Sequence, residues 1–99
     1  MNSRITGLLG IAARSKKLVS GDSVLPSIRS KKAKLVFLAE DCGSNSSKKI
    51  LDKCRFYGIP WIEQGTAAEL SVAVGQPKRV AVAIVDEGLA RAIQDAVME

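Results

Sequence analysis

Two acidic residues and two lysines stand close together in the stretch LVFLAEDCGSNSSKKI, which covers residues 35–50. Glu40 and Asp41 end an apolar run, and Lys48 and Lys49 follow a segment of Gly, Ser and Asn. The carboxylates could bind a metal ion or transfer protons, whereas the lysines could contact a polyanion. Because adjacent residues of an extended segment point to opposite faces, Glu40 and Asp41 do not converge without a turn. The pattern therefore allows an acidic site or a polar strand end that leads into a helix cap.

The chain lacks the residues on which most enzyme and metal sites depend. It contains no histidine, so Ser-His and Cys-His nucleophile pairs are absent. Cys42 and Cys54 are the two cysteines, whereas a structural zinc site of the usual kind needs four Cys or His ligands. We expect two ordinary thiols, no metal, no cofactor and no catalysis. A hydrolase or transferase that combines Glu40, Asp41 and Asp86 is the least favoured interpretation.

Charge points to a polyanionic partner. Fifteen Lys and Arg residues against ten Asp and Glu residues give a net charge of +5, and the pI is about 9.5. A basic but otherwise ordinary soluble protein is the alternative interpretation. The cations are concentrated in the first half of the chain, so residues 14–49 should supply most of a polyanion site. They are Arg14, Lys16, Lys17, Arg29, Lys31, Lys32, Lys34, Lys48 and Lys49.

The known nucleotide-binding and base-stacking patterns are missing. Neither G-x-x-x-x-G-K-[ST] nor G-x-G-x-x-G follows an apolar run. The four aromatic residues, two Phe, one Tyr and one Trp, are too few for the stacking platform of single-strand RNA binders. A nucleic-acid site would therefore use backbone, hydroxyl, amide and basic groups and would bind folded or duplex-derived RNA.

Helical and extended segments alternate along the chain. The apolar runs KLVFLA and RVAVAIV predict two strands buried on both faces, and KLVS and WIE predict two shorter strands. Five helices are expected between and around them. Their predicted boundaries are a first helix over residues 3–14, a second capped by Asp22 or Ser23, a third capped by Asn45, Ser46 or Ser47 and ended by Gly58, a fourth opened by the Thr66–Glu69 capping box, and a last one capped by Asp86.

This alternation predicts the α/β class, with a three-layer α/β/α sandwich around a small mixed sheet of about four strands. Ninety-nine residues suit a single domain over residues 1–99. Arg4 and the following ITGLLGIAA loosely resemble a signal peptide, but the apolar spacing fits an amphipathic helix that runs into RSKK. No apolar run reaches the roughly 20 residues of a membrane helix, and we expect a cytoplasmic protein.

Several segments, in order, resemble the bacterial branch of the L7Ae/L30e ribosomal-protein family. They are GLLGIAARSKKLVSG, KAKLVFLAED, KKILDKCRFYGIP, AELSVAVG and VAVAIVDEGLARAI, and together they cover almost the whole chain. The resemblance implies the L30e-like sandwich and binding to kink-turn RNA, an internal loop with tandem sheared G·A pairs. It also implies that the start of the second helix, the loop after Ala39-Glu40-Asp41 and the loop after the fourth helix form the RNA site.

At the start of the second helix the match to this family is partial. Gly21 matches the family glycine, but Ser23, Val24 and Ser27 stand where the family has Asn, Glu and Lys. Ser23 can still donate or accept a hydrogen bond, whereas Val24 cannot replace a carboxylate. A protein-interaction module that keeps the fold and has weak or lost specific RNA recognition is therefore the alternative function.

The favoured hypothesis is a structured-RNA-binding or ribosome-associated protein, active as a monomer in a ribonucleoprotein and without a membrane partner. Lys48 and Lys49 are expected in the first turn of the third helix, where helix amides and lysines together favour phosphate; solvated lysines are the alternative. The complete set of predicted RNA-binding residues is Lys16, Lys17, Ser20, Gly21, Asp22, Ser23, Lys31, Lys32, Glu40, Asp41, Lys48, Lys49, Val74, Gly75 and Gln76.

Overall fold

The computed structural model describes residues 1–98 and contains five α-helices and four β-strands. In chain order they are α1 (Ser3–Arg14), β1 (Leu18–Ser20), α2 (Val24–Arg29), β2 (Leu35–Leu38), α3 (Ser44–Tyr57), β3 (Trp61–Glu63), α4 (Ala67–Val74), β4 (Ala81–Ile84) and α5 (Glu87–Val97), and a short 3₁₀ turn, Gly21–Ser23, precedes α2.

The four strands form one mixed sheet in the order β1-β4-β2-β3. β4 lies between β1 and β2 and is antiparallel to both, whereas β3 is the outermost strand beside β2 and runs parallel to it. The carboxyl ends of β1, β2 and β3 therefore meet the amino end of β4 at one edge of the sheet. The carboxyl end of β4 lies at the opposite edge, beside the residues that precede β1 and β2.

Helices cover both faces of this sheet and bury two separate cores. α1, α4 and α5 pack on one face against Leu35, Phe37, Val82 and Ile84. α2 and α3 pack on the other face against the alternate strand residues Val36, Leu38, Ala81 and Ala83. Every residue of β2 and β4 is buried, as expected for strands covered on both sides. The predicted three-layer α/β/α sandwich is confirmed.

α1 has the predicted bounds and the predicted amphipathic character. Asn2 accepts the Ile5 amide at 2.8 Å as the N-cap, and the helix buries Ile5, Leu9 and Ala12. α1 and α4 approach closely at Gly10, since a Cβ built there would lie 3.3 Å from the Ala73 carbonyl oxygen. Within residues 1–98, no helix is both long enough and apolar enough to cross a bilayer.

The predicted start of α3 is wrong. The helix begins at Ser44, with Gly43 as N-cap and no side-chain cap, so the hydroxyls and amide of residues 45–47 lie inside it. Lys48 and Lys49 consequently lie in the second turn instead of the first. Ser23 occupies the predicted N-cap position of α2, but its side chain makes no capping hydrogen bond. The end of α3 at Gly58, with φ +69°, is as predicted.

The amino end of α4 is held by three side chains. Thr66 Oγ1 accepts the Glu69 amide and Glu69 Oε1 accepts the Thr66 amide, both at 3.1 Å, which completes the predicted capping box. Asp41 Oδ1 accepts the Ala67 amide at 2.7 Å. Asp41 therefore joins the loop after β2 to α4, whereas the sequence pattern suggests that the acidic pair leads into the cap of the next helix, α3.

We predict that Leu9→Ala lowers the free energy of unfolding by about 2–5 kcal/mol, because Leu9 is fully buried between α1 and the sheet. Urea denaturation followed by circular dichroism measures this change. Ile11→Ala, on the same helix at a side chain that is 45% exposed, is the matched control and should cost much less. Equal losses in the two variants would contradict this packing of α1.

The two thiols should differ strongly in reactivity. Burial in the α2–α3 core raises the pKa of Cys54 to about 11, and both cysteines are free thiols. Burial, followed by the charges of Asp41 and Glu63, raises the pKa of the half-exposed Cys42. At pH 8 we expect a disulfide reagent to label Cys42 slowly and Cys54 only after denaturant is added, as thiolate formation and access both limit the reaction. Rapid labelling of Cys54 in a Cys42→Ser variant would contradict its burial.

Candidate nucleic-acid interface

A groove of about 340 Å³ lies between α2, α3 and the segment that enters β4. It opens at the edge of the sheet where β1 ends and β4 begins. Its lining combines apolar side chains from each of these three elements with cationic side chains and with the backbone of the 3₁₀ turn. The lining residues are Gly21, Asp22, Val24, Leu25, Ser46, Lys49, Ile50, Lys78, Arg79, Val80 and Ala81.

A hydrogen-bond network joins the end of β1 to the loop after α4. The Gln76 side-chain oxygen accepts from Ser20 Oγ at 3.0 Å and from Arg79 Nε at 2.9 Å. Arg79 Nη1 lies next to Gly21, 3.5 Å from the position of a Cβ at that residue. The predicted residues Ser20, Gly21 and Gln76 are thus brought together, although they are distant in sequence.

The backbone of Arg79 is fixed from α4. Ser71 Oγ accepts the Arg79 amide at 2.8 Å and donates to the Arg79 carbonyl at 3.3 Å. With its backbone held by Ser71 and its Nε held by Gln76, the guanidinium has few orientations left. An arginine fork that is fixed in this way can bind a phosphate or a base edge with little loss of conformational entropy.

Lys78 adds a second cation to the groove from a strained backbone. Its φ is +56°, a left-handed conformation that residues with a Cβ rarely adopt. Lys49 faces Lys78 and Arg79 from α3, and Asp22 is the one carboxylate among the lining residues. The groove therefore combines three cations with an apolar floor of Val24, Leu25, Ile50 and Val80, a chemistry that suits a phosphate and the flat face of a base.

Other predicted residues border the groove or lie nearby without lining it. Ser23 is exposed at the N-cap of α2, and Gly75 ends α4 with φ +69°. Lys48 is exposed one position before Lys49 on α3. Val74 is only 5% exposed and packs in the core against α1, so the apolar surface beside this loop comes from Val72 and Val80.

Glu40 and Asp41 follow β2 at the same edge of the sheet but line no part of the groove. Asp41 is occupied as the cap of α4, and the Glu40 amide donates to the Gly65 carbonyl at 2.8 Å. Asp86, the third residue of the hydrolase hypothesis, follows β4, which runs antiparallel to β2. It therefore lies at the opposite edge, and residues 1–98 contain no group of three or more His, Cys, Asp or Glu suited to a metal ion.

Four of the predicted lysines also lie at that opposite edge. Lys16 and Lys17 precede β1, and Lys31 and Lys32 precede β2, whereas the groove lies beyond the far ends of these strands. A four-residue strand spans about 10 Å. The predicted cations consequently form two separate surfaces instead of one.

Sequence reasoning missed Lys78 and Arg79. The signal was the pair of cations in QPKRV directly before a buried strand. This pair of cations indicates a site beside Gly21 only when β4 is known to run antiparallel to β1 and β2, because this direction places the start of β4 beside Gly21. Leu25, Ser46, Ile50 and Val80 were also missed, and no feature of the sequence distinguishes them from ordinary helix or strand residues.

Two solved structures share this architecture. One, described as a protein with unknown function from Bacillus halodurans C, superposes with a TM-score of 0.93 at 33% identity and covers 99% of this chain and 100% of its own. The other, the Giardia lamblia 15.5kD RNA binding protein, has a TM-score of 0.77 at 19% identity, with coverage of 99% and 88%. At that identity the second likeness concerns the fold alone.

Curated relatives match most of the sequence. The RNA-binding protein YlxQ of Bacillus subtilis (strain 168) is 46% identical over 84 residues, which are 84% of each chain. The RNA-binding protein YlxQ of Enterococcus faecium is 40% identical over 85 residues, 85% of this chain and 82% of its own. The profile described as the Ribosomal protein L7Ae/L30e/S12e/Gadd45 family matches residues 3–94. This chain belongs to the Ribosomal protein L7Ae/L30e/S12e/Gadd45 family.

Proposed function

We propose that residues 1–99 act as a single RNA-binding domain that recognises a structured, kink-turn-like or ribosomal RNA through the groove. The observation that carries this proposal is the convergence of Lys49, Lys78 and the fixed guanidinium of Arg79 around an apolar floor. Two relatives at 46% and 40% identity are named RNA-binding proteins, which supports RNA as the ligand.

Each part of the groove has a role in this proposal. Lys49 and Lys78 contact phosphates, and Arg79 contacts a phosphate or a base edge. Gly21, with φ +60° and no side chain, lets the RNA backbone approach the 3₁₀ turn, and Ser23 offers a hydroxyl beside it. Leu25 and Val80 take up the face of an unstacked base. Lys48, Glu40 and the Gly75–Gln76 loop border the bound RNA.

The departures from the family pattern have a structural basis. Val24 and Ser27, at the family Glu and Lys positions, are 3% and 7% exposed and belong to the buried side of α2. Ser27 Oγ donates to the Val24 carbonyl at 2.6 Å. These two residues therefore hold the helix and cannot replace the lost base contacts, each of which is worth about 1–3 kcal/mol. The cations at the groove supply affinity in their place.

The proposal includes the cellular setting. The protein acts in the cytoplasm as a monomer within a ribonucleoprotein, with a kink-turn-like or ribosomal RNA as its target and without catalysis. Membership of the family supports RNA as the partner, and the position of Glu40–Asp41 and Asp86 at opposite edges of the sheet argues against a joint acid–base site. The alternative is a protein-interaction module on the same fold, in which specific RNA recognition is weak.

Kink-turn specificity is tested with two RNAs that differ only in the tandem G·A pairs. We predict that a kink-turn RNA binds at least about tenfold more tightly than the same RNA with Watson–Crick pairs at these positions, since the loss of one base-edge contact costs about 1–3 kcal/mol. Isothermal titration calorimetry at constant salt measures both affinities. Equal affinities would remove the specific claim, and no binding of either RNA would favour the protein-interaction module.

The phosphate contacts of the groove are tested by the double variant Lys49→Gln, Lys78→Gly. Glycine removes the Lys78 charge and relieves the left-handed backbone, so folding should be retained. We predict weaker kink-turn binding and a salt dependence whose log–log slope falls by about one for each lysine removed. Fluorescence anisotropy across a salt series measures this slope. Arg4→Gln with Arg55→Gln, at exposed positions that do not line the groove, removes the same charge and should leave the slope nearly unchanged.

The orientation of Arg79 is tested through its partner. Gln76→Ala removes the acceptor of the Arg79 Nε and Ser20 hydroxyl hydrogen bonds. We predict about a fivefold loss of RNA affinity, which corresponds to about 1 kcal/mol. If Gln76 acts through Arg79, its substitution should have little further effect in an Arg79→Gln background. Additive effects in this double-mutant cycle would show that Gln76 contributes independently of Arg79.

A further inference from the structure

A second cationic surface lies at the edge of the sheet opposite the groove. Two turns build it, the one between α1 and β1 and the one between α2 and β2, together with the outer side of α5. We define this surface, the basic pole, as Lys16, Lys17, Lys31, Lys32, Lys34 and Arg91.

Backbone hydrogen bonds hold the two turns on either side of the end of β4. The Lys17 carbonyl accepts from the Val85 amide at 2.9 Å, and the Lys34 amide donates to the Ile84 carbonyl at 2.7 Å. The first residues of β1 and β2, Leu18 and Leu35, both pair with Ile84. Since neighbouring strands lie about 4.8 Å apart, the two turns are separated by about 10 Å. The fold therefore brings lysines from distant parts of the chain onto one small surface.

The lysines of the basic pole are available to a partner. Within residues 1–98, no carboxylate forms an ion pair with Lys16, Lys17, Lys31 or Lys32, and all four side chains are exposed. Lys34 Nζ donates to the Lys31 carbonyl at 3.3 Å. Two carboxylates lie near this surface: Asp86, which caps α5, and Glu87, which lines a small recess with Lys34 and Arg91. Six cations thus outnumber two carboxylates.

Backbone strain marks two of these lysines. Lys16 and Lys31 both have φ +60°, each directly after the C-cap of a helix, at positions where glycine is common. α3 and α4 of the same chain end with glycine in this conformation, at Gly58 and Gly75. Lysines near helix carboxyl ends also interact favourably with the helix dipole. The dipole does not require them at the left-handed position itself, and strain that persists in a structure points to a function.

We propose that the basic pole is a second nucleic-acid site, which binds the phosphate backbone of an RNA duplex while the groove holds the recognised loop. The choice of RNA, instead of another polyanion, as the ligand of the basic pole rests on the proposed function of the groove. A charged surface of exposed lysines without aromatic side chains suits backbone contacts and carries no base readout. Because the groove and the pole lie at opposite edges of the sheet, one protein bridges two RNA segments.

The test uses two variants with the same loss of charge. Lys16→Gly with Lys31→Gly removes two ammonium groups from the pole and relieves two left-handed residues, so the variant should fold at least as well as the wild type. Lys53→Gln with Arg55→Gln is the matched control on α3. Each protein is titrated by fluorescence anisotropy, over a salt series, with a blunt RNA duplex that has no internal loop and with the kink-turn RNA.

The pole variant should bind the duplex more weakly than the wild type, with a log–log salt slope smaller by about two. It should retain kink-turn preference over the RNA without G·A pairs. The proposal is overturned if the wild type does not bind the duplex at low salt, or if the pole variant and the α3 control change duplex binding equally. If the wild type shows no preference for the kink-turn RNA, the proposed function of the groove is contradicted. The duplex titrations would then still test whether the basic pole binds RNA.

Bridging is tested with two labelled RNAs. The wild type, saturated with donor-labelled kink-turn RNA, should bind an acceptor-labelled duplex and give energy transfer in a complex of one protein and two RNAs. At the same duplex concentration, the pole variant should form less of this ternary complex than the wild type and should still bind the kink-turn RNA. Displacement of the kink-turn RNA by the duplex, without a ternary complex, would show that the two RNAs share one site and would overturn bridging.

Discussion

The direction of β4 is the constraint on which the rest of the molecule depends. β4 is hydrogen-bonded to β1 on one side and to β2 on the other, antiparallel to both. The similar segments KAKLVFLAEDCG and PKRVAVAIVDEG therefore point in opposite directions. Their basic ends lie at opposite edges of the sheet, and so do their acidic ends. The direction of this one strand thus separates Asp86 from Glu40 and Asp41 and brings Lys78 and Arg79 to the groove. It leaves the lysines that precede β1 and β2 at the basic pole.

The groove is built from groups that stabilise the fold as well as from groups that face the ligand. Ser71 joins α4 to the start of β4, Gln76 joins that segment to β1, and Asp41 joins the loop after β2 to α4. Side-chain hydrogen bonds between neighbouring elements reduce the number of loop conformations at this edge. A site that is held in shape before the ligand arrives binds with a smaller loss of conformational entropy.

Sequence reasoning predicted what local physics determines. The buried strands, α1, the Thr66–Glu69 capping box, the Gly58 end of α3 and the Asp86 cap follow from periodicity and from short-range hydrogen bonds. Strand direction does not, because an apolar run reads the same way in either orientation. The start of α3 at Gly43–Ser44 was missed since several capping residues follow one another and the helix uses none of them. Of the residues that line the groove, the predicted set contains Gly21, Asp22 and Lys49, and it also contains Ser20 and Gln76 from the adjoining hydrogen-bond network.

The left-handed lysines have a consequence for how this protein would respond to selection for heat resistance. Glycine at Lys16, Lys31 or Lys78 would remove a Cβ from a conformation that disfavours it by about 1–2 kcal/mol, a gain offset in part by glycine's greater chain entropy. A screen that rewards melting temperature alone would therefore favour glycine at these positions and would remove one charge with each substitution. Each substitution would raise stability and lower affinity for a polyanion, a trade-off of the kind expected where strain is retained for function.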